Sequence, residues 1–205
     1  MLFAWMLATA LVASPAPDCG LTIQRDRVRD LTAWKPQIQA YSQRHYGENT
    51  WQLDPVAIVL HYTVSKGFPW NLVNTAHFAG ETPGLAVHYV VDGDKIWEIL
   101  PPTVRSRGAY GINHRAINIE LVAMEAHDLA RRPKTLATAA KLTTCLMQTY
   151  AIPRAKVYSH EAVSKMDPLR VPEVKDLLNA KPYGKSDPGE ANMRTILQQI
   201  PPEVE

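Results

Sequence analysis

A glycine between two aspartates, Asp92-Gly93-Asp94, separates two strand-like stretches, Leu85 to Val91 (LAVHYVV) and Lys95 to Leu100 (KIWEIL). A Gly in so short a connection is a strong hairpin signal, because it reaches the backbone conformations that a tight reversal needs. The antiparallel pair it enforces limits what the rest of the chain can build. Val56 to His61 reads as a short buried strand, β-branched and bounded upstream by Pro55. Ala116 to Val122 (AINIELV) alternates, which puts Ile117, Ile119 and Leu121 on one face and Asn118 and Glu120 on the other. Lys156 to Ser159 returns as a strand.

Helical stretches lie between these strands. Leu31 to Tyr46 is moderately helical, with Pro36 suiting a first-turn position and Gly47 following its end. Phe68-Pro69 opens a short helix running through Phe78, which Gly80 closes. Thr135 to Tyr150 has the clearest pattern, with Leu136, Ala139, Leu142 and Leu146 at helical spacing. Further helices are expected over Val171 to Asn179 and Asn192 to Ile200. Strands interleaved with helices specify one α/β domain, and the hairpin means that its mixed central β-sheet, flanked by helices, is not wholly parallel.

The 205-residue length is enough for one sizeable core. A net charge of +2, with no Lys/Arg cluster interleaved with aromatics, argues against a nucleic-acid partner. Leu2 to Ala13 (LFAWMLATALVA) is uncharged and apolar, and falls short of the about 20 residues a membrane span needs. Its length fits the apolar core of a secretory signal peptide, with small residues Ala13, Ser14 and Ala16 near a cleavage point. The expected organisation is therefore a leader over 1–16 and a domain over 17–205, exported to the periplasm or beyond and not stably inserted in a membrane once the leader is removed, with tethering to the membrane through a lipid on Cys19 left open as an alternative. Cys19 and Cys145 are the only cysteines. They could pair in an exported protein, but Cys145 falls in a helix interior, where a buried free thiol is the more common state.

Two histidines stand where apolar strands run out: His61 after Val56-Ala-Ile-Val-Leu, and His160 after Lys156-Val-Tyr-Ser. A lone His of this kind is usually a satisfied core residue, but the recurrence of the arrangement points to ligands. With Asp187, in the turn-rich Lys185-Ser-Asp-Pro-Gly, they make a three-ligand shell for a catalytic zinc that leaves one position for water. Glu120 is a carboxylate within an apolar strand, costly to bury without a partner or a chemical role, and suits a general base. Lys185 suits the stabilisation of an oxyanion. His88, Asn113 and His114 are candidates to line a substrate groove, whereas His45, His77 and His127 read as surface or packing residues.

These residues also resemble the zinc-dependent N-acetylmuramoyl-L-alanine amidases, the type 2 amidase and peptidoglycan recognition protein family. The resemblance runs from about Ile38 to Ile200 and rests on five segments in order: IVLHYT, AVHYVVDGDKIWEILP, GINHRAINIEL, YSHE and KSDPG. It implies a single amidase-like domain with His61, His160 and Asp187 as zinc ligands and Glu120 and Lys185 as catalytic groups. It also implies hydrolysis of the amide between N-acetylmuramic acid and L-alanine in peptidoglycan or muropeptides, by a monomer with zinc-bound water as nucleophile. A non-catalytic peptidoglycan-binding module of the same fold is the alternative. Two positions depart from the pattern: Asn118 replaces the Gly of the usual Ile-Gly-Ile-Glu strand, and Gly108 stands where related sequences carry a His. Asn118 is expected to narrow the cleft or shift the carboxylate, and Gly108 to alter substrate contacts.

Overall fold

A computed structural model describes residues 19–73, 75–176 and 183–202. The expected leader over 1–16, and the later part of the helix expected over 171–179, lie outside the described residues. Six strands form one sheet: β1 (Ile23–Gln24), β2 (Ala57–Tyr62), β3 (Tyr89–Asp92), β4 (Lys95–Glu98), β5 (Ala116–Leu121) and β6 (Val157–Ser159), in the order β1-β4-β3-β5-β2-β6. Only β3 and β4 are antiparallel, joined at Asp92↔Lys95, so the turn itself is Gly93-Asp94 with Gly93 at φ 62°. The other pairings are parallel, which makes the sheet mixed, as the hairpin requires.

Alternation along β2 and β5 sorts the two faces. Ile58, Leu60, Ile117 and Ile119 are fully buried against one helical layer, with α4 (Pro133–Tyr150) and α6 (Glu190–Gln199) packed on it and α3 (Ala126–Ala130) beside them. Truncating one of these side chains to Ala costs about 2–5 kcal/mol in a core of this kind. Leu136, Ala139, Leu142 and Leu146 supply the buried stripe of α4, and Pro133 occupies its first turn, where no N–H is required.

The opposite face carries Ala57, Val59 and His61 on β2 and Ala116, Asn118 and Glu120 on β5. Its apolar part packs against Ala109, Ile112 and Val163. At its edge α1 (Leu31–Tyr46) buries Trp34, Ile38 and Tyr41 against Ala86, Leu100 and Val104. Asp30 caps this helix by accepting from the Thr32 N–H at 2.9 Å, and Gly47 ends it at φ 69°.

Three expectations need correction. Pro36 lies at the sixth residue of α1, past the first turn, on the solvent-exposed side of the helix. The helix expected through Phe78 is only α2 (Trp70–Val73); Ala79 and Gly80 take positive φ, and Phe78 instead bridges to Glu81. Cys145 is not a free thiol but is paired with Cys19, their Cα atoms 5.7 Å apart. No helix among the described residues is long and apolar enough to cross a membrane.

Candidate metal centre and cleft

Register builds this site. His61 pairs with Glu120 across β2 and β5, and Leu60 pairs with Ser159 across β2 and β6. The next position along the second pairing is His160, so the two histidines and the glutamate form one row at the carboxyl ends of three adjacent parallel strands. Ends of this kind are where open α/β sheets present their chemistry. His160 is also the first residue of α5 (His160–Ser164), which Ser159 caps by accepting from the Ala162 N–H at 2.9 Å. Asp187 arrives on the loop before α6, and its carbonyl accepts from the Glu161 N–H at 3.1 Å.

His61 Nδ1 lies 2.9 Å from His160 Nδ1 and 3.2 Å from Asp187 Oδ2, and His160 Nδ1 lies 3.1 Å from the same oxygen. Three atoms rich in lone pairs thus converge on one point with all three residues buried. Ligands about 2.0–2.1 Å from a tetrahedral metal sit about 3.3–3.4 Å apart, within a few tenths of an ångström of this triangle. The donor set and its geometry fit a divalent cation with one position left open.

The electrostatics agree. Burial works to raise the Asp187 carboxyl, but hydrogen bonds from His160 and His61 override it and hold the group well below the usual carboxylate range. Burial, with the nearby charge of His61, lowers His160 to about 4. For His61, burial opposes the cation, yet the hydrogen bond to Asp187 and the Glu120 charge raise the ring overall. Burial pushes Glu120 up to about 7, against the attraction of His61. Among the described residues, Glu120 Oε2 has no hydrogen-bond partner. Lys185 is exposed on the same loop as Asp187, and its charge favours the ionised form of Glu120.

These groups open into a cleft of about 830 Å³, whose walls include Tyr41, His45, Phe78, Arg107, Tyr110 and Tyr183. Asn113 also borders it, although its Oδ1 is engaged by the Gly108 and Ala109 N–H groups at 2.8 Å each. His88 and His114 do not line the cleft. His88 is fully buried, its Nε2 donating to the Val104 carbonyl and its Nδ1 accepting from the Asn118 N–H, both at 2.9 Å. His114 is stacked on Tyr46, 4.1 Å between ring centroids, and burial lowers it to about 3. Their residue type suggested chemistry; tertiary packing made them framework.

Sequence reasoning missed the far end of the cleft. His45, expected at the surface or in packing, lies 3.0 Å from Glu81 and 3.0 Å from Asp176. The Arg107 guanidinium stacks over Tyr41 at 4.8 Å and approaches Glu81 at 3.3 Å. His45 follows Tyr41 by one helical turn on α1, the one signal that could have placed it on this wall. Asn118 is absent from the cleft wall: it is fully buried and turned under His61, and Gly108 borders the cleft.

Residues 51–190 match the family model described as N-acetylmuramoyl-L-alanine amidase. A variant of the protein PlyL has a similar structure, at 17% identity and a TM-score of 0.51, covering 73% of this chain and 87% of its own; that likeness supports the fold. A mutant endolysin from Bacillus subtilis is 21% identical with a TM-score of 0.49, over 75% of this chain and 93% of its own. An endolysin N-acetylmuramoyl-L-alanine amidase from Clostridium intestinale is 24% identical with a TM-score of 0.48, over 56% of this chain and 74% of its own. No curated protein matches the chain in sequence.

Proposed function

This chain belongs to the N-acetylmuramoyl-L-alanine amidase family, and from that premise we propose that it is a zinc enzyme cleaving the amide between N-acetylmuramic acid and L-alanine in peptidoglycan or its fragments. The observation that carries this reading is the convergence of His61 Nδ1, His160 Nδ1 and Asp187 Oδ2 beside a buried carboxylate in a large cleft. Two imidazoles and one carboxylate with an open fourth position are a donor set suited to catalytic zinc. When bound, the ion supplies Lewis acidity, polarising a carbonyl oxygen and acidifying water.

The remaining steps belong to the chain. Glu120, with its unpartnered Oε2, takes the proton of the attacking water and delivers it to the nitrogen of the departing L-alanine. A carboxyl raised to about 7 is suited to both halves of that exchange near neutral pH. The Lys185 ammonium offsets negative charge on the carbonyl oxygen as the carbon becomes tetrahedral. A non-catalytic binding module has no use for a buried, unpartnered carboxylate in register with a metal ligand, which favours catalysis. Incubating the zinc-loaded protein with purified muropeptides tests the proposal: free stem peptide by mass spectrometry is expected, and intact substrate across a pH series overturns it.

Export is part of the same reading. The Cys19–Cys145 disulfide supports an oxidising compartment, where such bonds persist. A Cys19 sulfur engaged in that bond is unavailable for attachment to a lipid, which supports a protein released from the membrane after leader removal.

A further inference from the structure

We propose that Asn118 is a positioning residue that presets His61 for metal binding, and that Gly108 is the space that admits it; this rests on reading His61, His160 and Asp187 as the zinc centre. Asn118 Nδ2 lies 3.4 Å from the Ala116 carbonyl oxygen and 2.8 Å from Ser106 Oγ. A backbone carbonyl only accepts, so the NH₂ end of the amide faces it and the Oδ1 end faces His61. Oδ1 lies 2.9 Å from His61 Nε2, and an amide oxygen likewise only accepts. His61 Nε2 therefore carries the proton. A neutral imidazole protonated at Nε2 has its lone pair on Nδ1, the atom that points at His160 and Asp187.

Asn118 is itself held from two sides. Its backbone N–H donates to His88 Nδ1, and its strand is central in the sheet. The burial of His88 thereby acquires a purpose. With its Nε2 committed to the Val104 carbonyl, the ring presents an acceptor that anchors Asn118.

Gly108 completes the arrangement. A Cβ at Gly108 would lie 3.0 Å from Asn118 Cγ, 3.0 Å from Val87 Cγ1 and 3.1 Å from Asn118 Cβ. Carbon atoms prefer a separation of about 3.5–4.0 Å. The backbone there has little freedom to retreat, because the Gly108 and Ala109 N–H groups both donate to Asn113 Oδ1. Gly108 and Asn118 are thus sterically coupled: the Asn118 side chain occupies space that a Cβ at Gly108 would crowd.

The test is zinc affinity of the full chain, measured by competition with a chromophoric chelator. Asn118→Leu keeps the size but removes the acceptor, and is expected to weaken zinc about 10–100-fold, the usual effect of losing such a partner. Asn118→Asp restores an acceptor oxygen and should hold zinc within a few-fold of the parent. Gly108→Ala should weaken zinc by crowding Asn118, and cost less when Asn118→Gly is also present. Parent-like affinity in Asn118→Leu overturns the proposal while leaving the zinc centre intact. Failure of the parent chain to take up zinc overturns both. Should Asn118→Leu not fold, nuclear magnetic resonance of the zinc-loaded parent decides: a slowly exchanging, downfield His61 Nε2–H proton is expected, and one exchanging freely with solvent overturns the proposal.

Discussion

His61 and Glu120 are register partners on adjacent parallel strands, β2 and β5. Neighbouring strands run about 4.8 Å apart, so sheet hydrogen bonding fixes the separation of the two backbones. Both residues lie on the face opposite the Ile58–Leu60 and Ile117–Ile119 core. Moving one relative to the other would take a register slip that turns buried aliphatics outward. Stability of the core and geometry of the site are therefore the same constraint.

The separate roles proposed for these partners, metal ligand and general base, predict separable losses. Glu120→Gln preserves shape and leaves all three candidate ligands, so metal content should match the parent while turnover falls about 10²–10⁴-fold, the range for a lost general base. His61→Ala should lose metal and turnover together. Metal analysis of the purified variants alongside muropeptide cleavage distinguishes them, and undiminished turnover in Glu120→Gln removes that residue from the mechanism.

Glu120 also has a cost in the metal-free protein, with a definite sign. Burial raises its folded pKa from 4.5 to about 7, so between those values the native state binds more protons than the unfolded state. Stability then falls as pH rises through this window, and the deficit persists above it. The shift corresponds to a few kcal/mol, on the order of 3. Chelator-treated Glu120→Gln should be more stable than the parent at pH 8 and no more stable at pH 4, measured by urea unfolding. Equal stabilisation at both pH values would show that charge burial is not the cause.

How much of this was legible in the sequence depended on the range of the signal. β2, β5, α4 and the Gly93 turn came within a residue or two, because each carries its own periodicity or turn chemistry. The convergence of His61 and His160 was legible because each ends an apolar strand, a local pattern that register converts into proximity. β1 was not, since two residues have no period. The roles of His88, His114 and His45 were misread because residue type is local while burial is not. Asn118 was read correctly as sharing a face with Glu120, but its partner lies on another strand, so its effect was assigned to the cleft instead of to His61. Pairing of Cys19 with Cys145 needed two segments 126 residues apart to meet.

Lys185 provides a test that separates charge from metal binding. It is exposed on its loop, yet its charge favours ionised Glu120 and opposes protonation of His160. Lys185→Met should retain metal and lose about 10²-fold in turnover, comparable to removal of one oxyanion donor. With that cation gone, the Glu120 carboxyl should titrate higher, so the acidic limb of the kcat/KM profile moves to higher pH. An unmoved acidic limb would show that Lys185 does not act on Glu120.

The disulfide yields a prediction about stability apart from chemistry. Cys145 lies on the buried side of α4, the helix that covers the sheet, and Cys19 precedes β1 at the sheet edge. β1 is held by only two register pairs to β4, a ladder too short to be stable by itself. The tether therefore keeps the edge strand in place as well as restricting the unfolded chain. Cys19→Ser should cost about 2–5 kcal/mol, the usual range for a native disulfide, read by urea unfolding. Hydrogen exchange in the variant should quicken first around Ile23 and Gln24 and leave Ile119 protected, because β5 lies in the centre of the sheet. Cleavage at 25 °C should persist, since neither cysteine borders the cleft. Uniform loss of protection across the sheet would instead mean that the disulfide supports the whole fold, not its edge.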